Sequence, residues 1–401
     1  MENFYDVIII GAGPSGAAAA ISLGRNSNNL RILLVDKAIF PRDKVCGDGL
    51  TGDSIRCLKE LGIWDKIKEQ GHSMDRVELY PFQSDNYINL EANVVTIPRK
   101  CFDLLLFNEA LKNDKISFKN AAFYGEIREK KGAYQTSFID SISGNRIIID
   151  SNFVIIATGC QADKHLYSMR TIPYTQPDAV LIRGYYRAEW DLHNPIAVFL
   201  NFSKKGYFWA FPMGDNLFNV GCGFKSTPKA KADLKFILNE NIAKLNSKYH
   251  TEGVWQTDPK GAFIRSGLKN YKKFSYSNIL FVGETIASTY PYTGEGIGKA
   301  LETGILASLS IQDALNKKGR KAAFYYNKSI AKIIIPMYKP YRMAEHIFVH
   351  RYISSFCFKL LYKSKIAQLF VSNVLTEKVV PSSFYIIRGI LKLTFKRFNR
   401  K

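Results

Sequence analysis

Residues 6–16 read Asp6-Val-Ile-Ile-Ile-Gly11-Ala-Gly13-Pro-Ser15-Gly16, and this stretch decides the fold. The apolar run after Asp6 reads as a buried strand. Three glycines follow in GxGxxG spacing. Gly11 permits a tight turn, Gly13 lets the main chain approach a pyrophosphate, and Gly16 lets the next helix pack close on the strand. The start of that helix, with Ser15 in it, offers free N–H groups and partial positive charge to phosphates. A second apolar strand over 30–35 ends at Asp36, where an acid can accept from a ribose hydroxyl. Together these features predict dinucleotide binding on a Rossmann-like α/β sheet.

A second glycine motif lies ~270 residues on. Ile279-Leu-Phe-Val-Gly283-Glu284 leads to Pro291-Tyr-Thr-Gly294-Glu295-Gly296-Ile297. A nicotinamide dinucleotide uses only the first motif. FAD, with its ribityl chain and three-ring flavin, uses both, so the pair predicts FAD. Gly283-Glu284 is expected near the ribityl chain. Gly294 and Gly296 open a helix whose N–H groups suit the flavin N1–C2=O edge, which is negative in the reduced state.

Working outward, residues 15–23 read as a helix, 39–52 as a loop and 51–61 as helical. Short strands are expected at 77–80, 87–90 and 153–157, the last closed by Thr158-Gly159, whose small residues allow close approach to the nucleotide. Arg99 opens a helix over 99–111, where a cation suits a phosphate or the flavin. Residues 180–224 alternate and are rich in rings, which predicts an antiparallel sheet. A helix over 230–247, a strand over 279–282 and a helix over 296–315 follow. The two glycine motifs must meet in space. The expected domains are therefore a discontinuous FAD-binding domain (1–75, 95–165, 275–312), an inserted antiparallel-sheet substrate domain (76–94, 166–274) and a basic helical C-terminal region (313–401).

Hydrophobic residues make up 46% of the chain, enough for a substantial core. No run of 18 uncharged apolar residues occurs, and the apolar N-terminal run is strand one rather than a signal peptide. The six cysteines form no CxxC pair and the six histidines no ligand-spaced cluster, so no metal is expected. The default setting is reducing and cytoplasmic.

At this point a resemblance is clear. Four stretches resemble the geranylgeranyl reductase family of flavoproteins, within the hydroxybenzoate-hydroxylase-like superfamily. They are Gly11–Gly16, Lys44-Val-Cys46-Gly47-Asp-Gly49, Tyr207-Phe-Trp209-Ala-Phe211-Pro212 with Val220-Gly221-Cys-Gly223, and Pro291–Ile297. The first and last are shared across the superfamily; the middle two are narrower. One departure is Glu284, where the superfamily usually carries an Asp similar in role to a clamp on a ribityl hydroxyl. The extra methylene requires that contact to change. The resemblance implies reduction of isolated C=C bonds in a prenyl or related lipid, with hydride from N5 of reduced flavin. It also places Lys44, Cys46 and Gly47 near the ring, with Cys46 as proton donor, gate or packing residue. Tyr207, Trp209 and Phe211 share one face at period two and suit the wall of a dry cavity. No second Rossmann motif is present to hold NAD(P)H, so a separate reductase or ferredoxin is expected as electron donor.

The alternative within the superfamily is a monooxygenase or halogenase acting on an aromatic or polyketide. The halogenase pattern W-x-W-x-I-P is not matched at Tyr207 and Phe211. A third reading is a flavin-fold protein without catalysis.

Of the formal charge of +21, most lies after residue 315, where nineteen Lys and Arg face only Glu345 and Glu377. Arg388, Lys392, Lys396 and Arg400 recur at every fourth position, with Ile387, Ile390, Leu391, Leu393, Phe395 and Phe398 as apolar cover elsewhere. A helix of this kind fits an anionic membrane interface, which suits a lipid substrate and predicts peripheral contact at the inner membrane surface. Nucleic acid is not expected, because no reading module accompanies the charge.

Overall fold

The computed structural model describes residues 4–27, 29–81, 86–161, 177–192, 195–201, 206–225, 233–268, 274–291, 293–317, 319–348 and 351–376. The first sheet is built on β1 (Phe4–Ile10) and β2 (Ile32–Asp36), which pair in parallel. A second sheet takes β3 (Gly49–Leu50), β4 (His72–Tyr80) and β5 (Ile88–Thr96) from the middle of the first domain's sequence. The chain then returns to the first sheet through β6 (Ile116–Lys130), β7 (Ala133–Asp140) and β8 (Arg146–Ile156). β6 pairs with β2, and β8 pairs with β1, both in parallel. β7 runs antiparallel to both, bridging the parts of β6 and β8 that project beyond the parallel core.

The second sheet is completed by β9 (Ala179–Arg187), β10 (Pro195–Asn201), β11 (Gly206–Pro212), β12 (Leu217–Lys225), β13 (Val254–Trp255) and β14 (Lys260–Ile264). Its order is β13-β9-β12-β11-β10-β4-β5-β3, with β14 also on β9. The first sheet closes with β15 (Ser275–Tyr276) and β16 (Ile279–Phe281), the latter parallel to β8. Its parallel core therefore runs β6-β2-β1-β8-β16, the doubly wound order in which each strand added after β1 extends one side and then the other.

Sequence reading found the FAD-domain strands that are buried on both faces and missed β6, most of β8 and all of β7. Those segments alternate or are half exposed, as β6 shows from Ile116 to Lys130, so no continuous apolar run marks them. β4 and β5 extend to His72 and Thr96, a few residues outside the 76–94 expected for the inserted segment.

The helices that matter for the site are α1 (Pro14–Asn26), α2 (Gly52–Glu60), α3 (Trp64–Gln70) and α4 (Arg99–Leu111), then α5 (Leu234–Lys248) and α6 (Ile297–Asn316). Beyond them α7 (Ala322–Ser329) runs through a π-turn at Ile330–Ile334 into α8 (Ile335–Phe348), followed by α9 (Arg351–Lys363) and α10 (Lys365–Leu375). The expected basic helix over 381–401 lies outside the described residues.

The main core packs β1, β2, β8 and β16 against α1 and α6, with Val7, Ile8, Leu34, Val154, Leu280 and Leu301 fully buried or nearly so. A second core lies between the far face of the second sheet and α5, where Trp190, Phe218, Phe224 and Leu238 meet. On β11 the side chains split by parity: Phe208 and Ala210 join that second core, while Tyr207, Trp209 and Phe211 face the other way.

Candidate flavin site

The dinucleotide turn is built from backbone that admits no side chain. Gly11 has φ 105°, and a Cβ there would lie 2.4 Å from the Ala157 carbonyl oxygen. A Cβ on Gly16 would lie 1.8 Å from the Gly11 oxygen. Helix α1 starts at Pro14 with Gly13 as its N-cap and no capping side chain, so its first N–H groups face outward. Asp36 sits at the end of β2, where its carboxylate accepts from Ala12 N (2.7 Å) and Ala38 N (2.8 Å). Each oxygen keeps a further lone pair for a ribose hydroxyl.

The cation beside this turn is Arg42, which sequence reading passed over. Its Nη2 lies 3.2 Å from where a Gly13 Cβ would stand, and its Nη1 pairs with Asp103 at 3.0 Å. Arg99, the cation expected here, is buried and commits Nε and Nη2 to Asp103 at 2.7 and 2.8 Å. Asp103 thus anchors both arginines, one inside helix α4 and one reaching toward the loop. The only signal for Arg42 was its place in the loop after β2.

The two glycine motifs touch. Gly283 has φ 63°, and a Cβ on it would lie 2.7 Å from Ser15 Oγ. A Cβ on Gly304, two turns into α6, would lie 2.2 Å from the Ser15 carbonyl oxygen. Between them, Gly159 N donates to Thr285 Oγ1 at 3.1 Å, and the buried Thr158 hydroxyl has no partner among the described residues. The Glu284 departure resolves here. Its longer arm accepts from Arg265 N (3.1 Å) and pairs with Lys44 (3.3 Å), so this carboxylate ties three loops together.

At the second motif Gly294 has φ 75°, Pro291 is buried, and Gly296 is the N-cap of α6 with no capping side chain. Ile297 begins the helix. Glu295 accepts from Thr51 Oγ1 at 3.1 Å, and burial beside Asp53 pushes its carboxyl up to about 7. Behind it Lys299, almost wholly buried, pairs with Asp53 (2.7 Å) and Glu302 (2.6 Å) and locks α6 to α2.

Facing both loops is the ring-lined side of β11. Tyr207 Oη donates to the Thr293 carbonyl at 2.6 Å and lies 3.0 Å from where a Gly294 Cβ would stand. Phe211 and the Trp209 indole nitrogen lie 3.1 and 3.8 Å from the corresponding point on Gly47. Burial raises the Tyr207 phenol well above its ordinary value. The half-buried thiol of Cys46 therefore sits in a loop pressed between the wall and the dinucleotide domain.

That loop is pinned by residues the sequence did not flag. Arg183 donates to the Cys46 carbonyl (3.0 Å) and Lys44 carbonyl (2.8 Å) and pairs with Asp43. Asn219 donates to the Cys46 carbonyl (2.9 Å) and to Asp48 (2.8 Å), and accepts from Trp209 Nε1 (2.9 Å). Asp48 is fully buried at φ 63° and also accepts from Tyr185 Oη at 2.5 Å. Burial outweighs Arg183 and these hydrogen bonds, and pushes Asp48 up to about 6. Among the described residues no group of three or more His, Cys, Asp and Glu is placed to hold a metal ion.

The arrangement fits FAD on its own terms. Two uncapped helix starts, glycines that no side chain can replace and an unpartnered buried hydroxyl at Thr158 converge where the two motifs meet.

Comparison with known proteins agrees. The FAD binding domain family matches residues 4–316. The chain is similar to a menaquinone reductase of Mycolicibacterium smegmatis, 27% identical over 77% of this chain and 76% of the relative. It is also similar to a digeranylgeranylglycerophospholipid reductase of Methanopyrus kandleri, 25% identical over 80% of this chain and 84% of the relative. A geranylgeranyl bacteriochlorophyll reductase-like structure from Thermoplasma acidophilum shares the fold, with a TM-score of 0.78 at 17% identity over 98% of this chain and 99% of that one. The chain belongs to the FAD binding domain family and is a FAD-dependent oxidoreductase.

Proposed function

We propose that this protein reduces isolated C=C bonds in a prenyl or related lipid, drawing electrons from an external donor. The carrying observation is that Tyr207 and Trp209–Phe211 pack on the Gly294 and Gly47 loops respectively, putting an apolar wall against the flavin site. The names of the two curated relatives, reductases of menaquinone and of a digeranylgeranyl phospholipid, support a lipid substrate. Bound FAD supplies the hydride, from N5 of its reduced form. An unactivated alkene has no carbonyl to polarise, so the chain contributes proximity, exclusion of water and a proton. Trp209 and Phe211 exclude water, and the Tyr207–Thr293 hydrogen bond fixes the loop that carries Gly294. Cys46 is the candidate proton donor, held in register by Arg183 and Asn219 through its own carbonyl.

Anaerobic reduction of the FAD-loaded protein with a geranylgeranylated lipid should yield product heavier by one H2 per bond reduced. Single-turnover reoxidation of the flavin should slow when Cys46 is changed to Ala; an unchanged rate removes the thiol from the mechanism. Substrate-dependent oxygen consumption with no gain of hydrogen in the lipid would instead establish the monooxygenase or halogenase reading.

A further inference from the structure

Helices α9 and α10 meet in a turn at Ser364, whose hydroxyl accepts from Ala367 N at 3.2 Å. One side of α10 lies on the substrate sheet. Ser372 Oγ accepts from Glu91 N of β5 at 3.0 Å, and Leu375 joins Met74, Val94 and Phe211 in a small core. The first two turns of α10, ahead of that contact, carry exposed apolar side chains. Ile366 is 70% exposed and Leu369 58%, with Tyr362 beside them at the turn and Tyr352 farther back on α9. Lys359, Lys363 and Lys365 are exposed around the same turn. From residue 346 to residue 376 the sequence holds no Asp or Glu.

Aliphatic side chains left in water beside unpaired-sign charge need an occupant that is apolar within and anionic at its surface. Helices of 13 and 11 residues are too short to cross a bilayer, which takes about 20, and no described helix is long and apolar enough to do so. They suit lying in the interface, with Ile366 and Leu369 below the headgroups and the lysines at the phosphates. Nucleic acid offers phosphates but no hydrocarbon for the two aliphatic side chains.

We propose that the α9–α10 turn docks this protein on an anionic lipid bilayer. The docking would set the substrate sheet, on which α10 is seated, close to the membrane surface. This inference rests on exposure and charge and is independent of the reaction proposed above.

The test is co-sedimentation of the full-length, FAD-loaded protein with phosphatidylcholine vesicles with and without phosphatidylglycerol, no turnover being required. Binding is expected only to the anionic vesicles, and is expected to weaken as salt rises. Changing Lys359, Lys363 and Lys365 together to Gln should lower affinity on the order of 100-fold, at about fivefold per lysine. Ile366→Ser with Leu369→Ser should lower it at least roughly tenfold. An unchanged flavin spectrum shows that either variant is folded. Vesicle binding that survives both variants assigns the contact elsewhere and overturns the proposal. So does a wild-type protein that ignores vesicles but binds an RNA or an acidic protein.

Discussion

Replacing Gly304 by Ala sets two effects of opposite sign against each other. Alanine inside a helix is more stable than glycine by about 1 kcal/mol, so propensity alone predicts a stabilised α6. The new Cβ, however, would stand 2.2 Å from the Ser15 carbonyl oxygen and 3.2 Å from Ala19 N, where ordinary contact begins at 3.4 Å. Both neighbours are backbone atoms of α1, so no side chain can swing away. The helices must part by more than 1 Å across the junction that joins the two glycine motifs. Overpacking of this kind costs about 1–3 kcal/mol, and backbone on both sides puts it at the upper end. The net expectation is destabilisation by about 1–2 kcal/mol and a melting temperature lower by a few degrees. Because Ser15 and Gly283 move with the helices, FAD affinity should fall about tenfold for each 1.4 kcal/mol of strain relieved in the unbound protein. Thermal melts and flavin-fluorescence titration read both. Gly24→Ala, in α1, is the control: the nearest atoms its Cβ would meet are side-chain atoms of Asn113 and Ile116. Should Gly304→Ala bind FAD as tightly as the wild type and melt at or above its temperature, the contact between the two motifs has been misread.

Asp48 gives a pH signature. In the native state it titrates near 6 rather than 3.8, so between those values the folded protein holds more protons than the unfolded chain. Stability should fall as pH rises through this window, with Asp48 contributing about 3 kcal/mol of that fall once it is ionised. Asp48→Asn should remove that share of the slope in denaturant titrations at pH 4–7 and leave the share of Glu295, whose buried carboxyl is pushed up to about 7. Arg99→Met leaves Asp103 buried with only Arg42 and should cost about 3–5 kcal/mol of stability, measured by chemical unfolding. Arg42→Gln, at a partly exposed position, should leave the melt nearly unchanged while weakening FAD binding roughly tenfold, the worth of one charge-assisted hydrogen bond. Tyr207→Phe removes the donor to the Thr293 carbonyl; titration should show weaker flavin binding, by about 1–2 kcal/mol at most.

Much of the FAD-domain framework was legible in the chain because its strands are buried on both faces. Residues 7–10 and 279–282 read as unbroken apolar runs, and the glycines that follow them have backbone angles or contacts that exclude a side chain. The aromatic face of β11 was legible for a different reason: strand periodicity alone puts Tyr207, Trp209 and Phe211 on one side. The β6–β7–β8 meander was not, because half-exposed strands alternate too weakly to stand out from loops.

What local pattern could not supply is pairing across distance. Arg42 and Arg99 are both cations lying between the two glycine motifs in the chain, and nothing local says which one Asp103 buries within α4. Glu284 looked like a displaced ribityl clamp until the fold brought Lys44, 240 residues away, to its carboxylate. Asp48, Arg183 and Asn219 became one network only when β9 and β12 were laid against the loop that carries Cys46. Main-chain geometry and apolar periodicity are written residue by residue, so the sequence by itself determined a FAD-binding sheet and a ring-lined wall. A polar side chain's meaning depends on which partner reaches it first, and only the tertiary structure decided that.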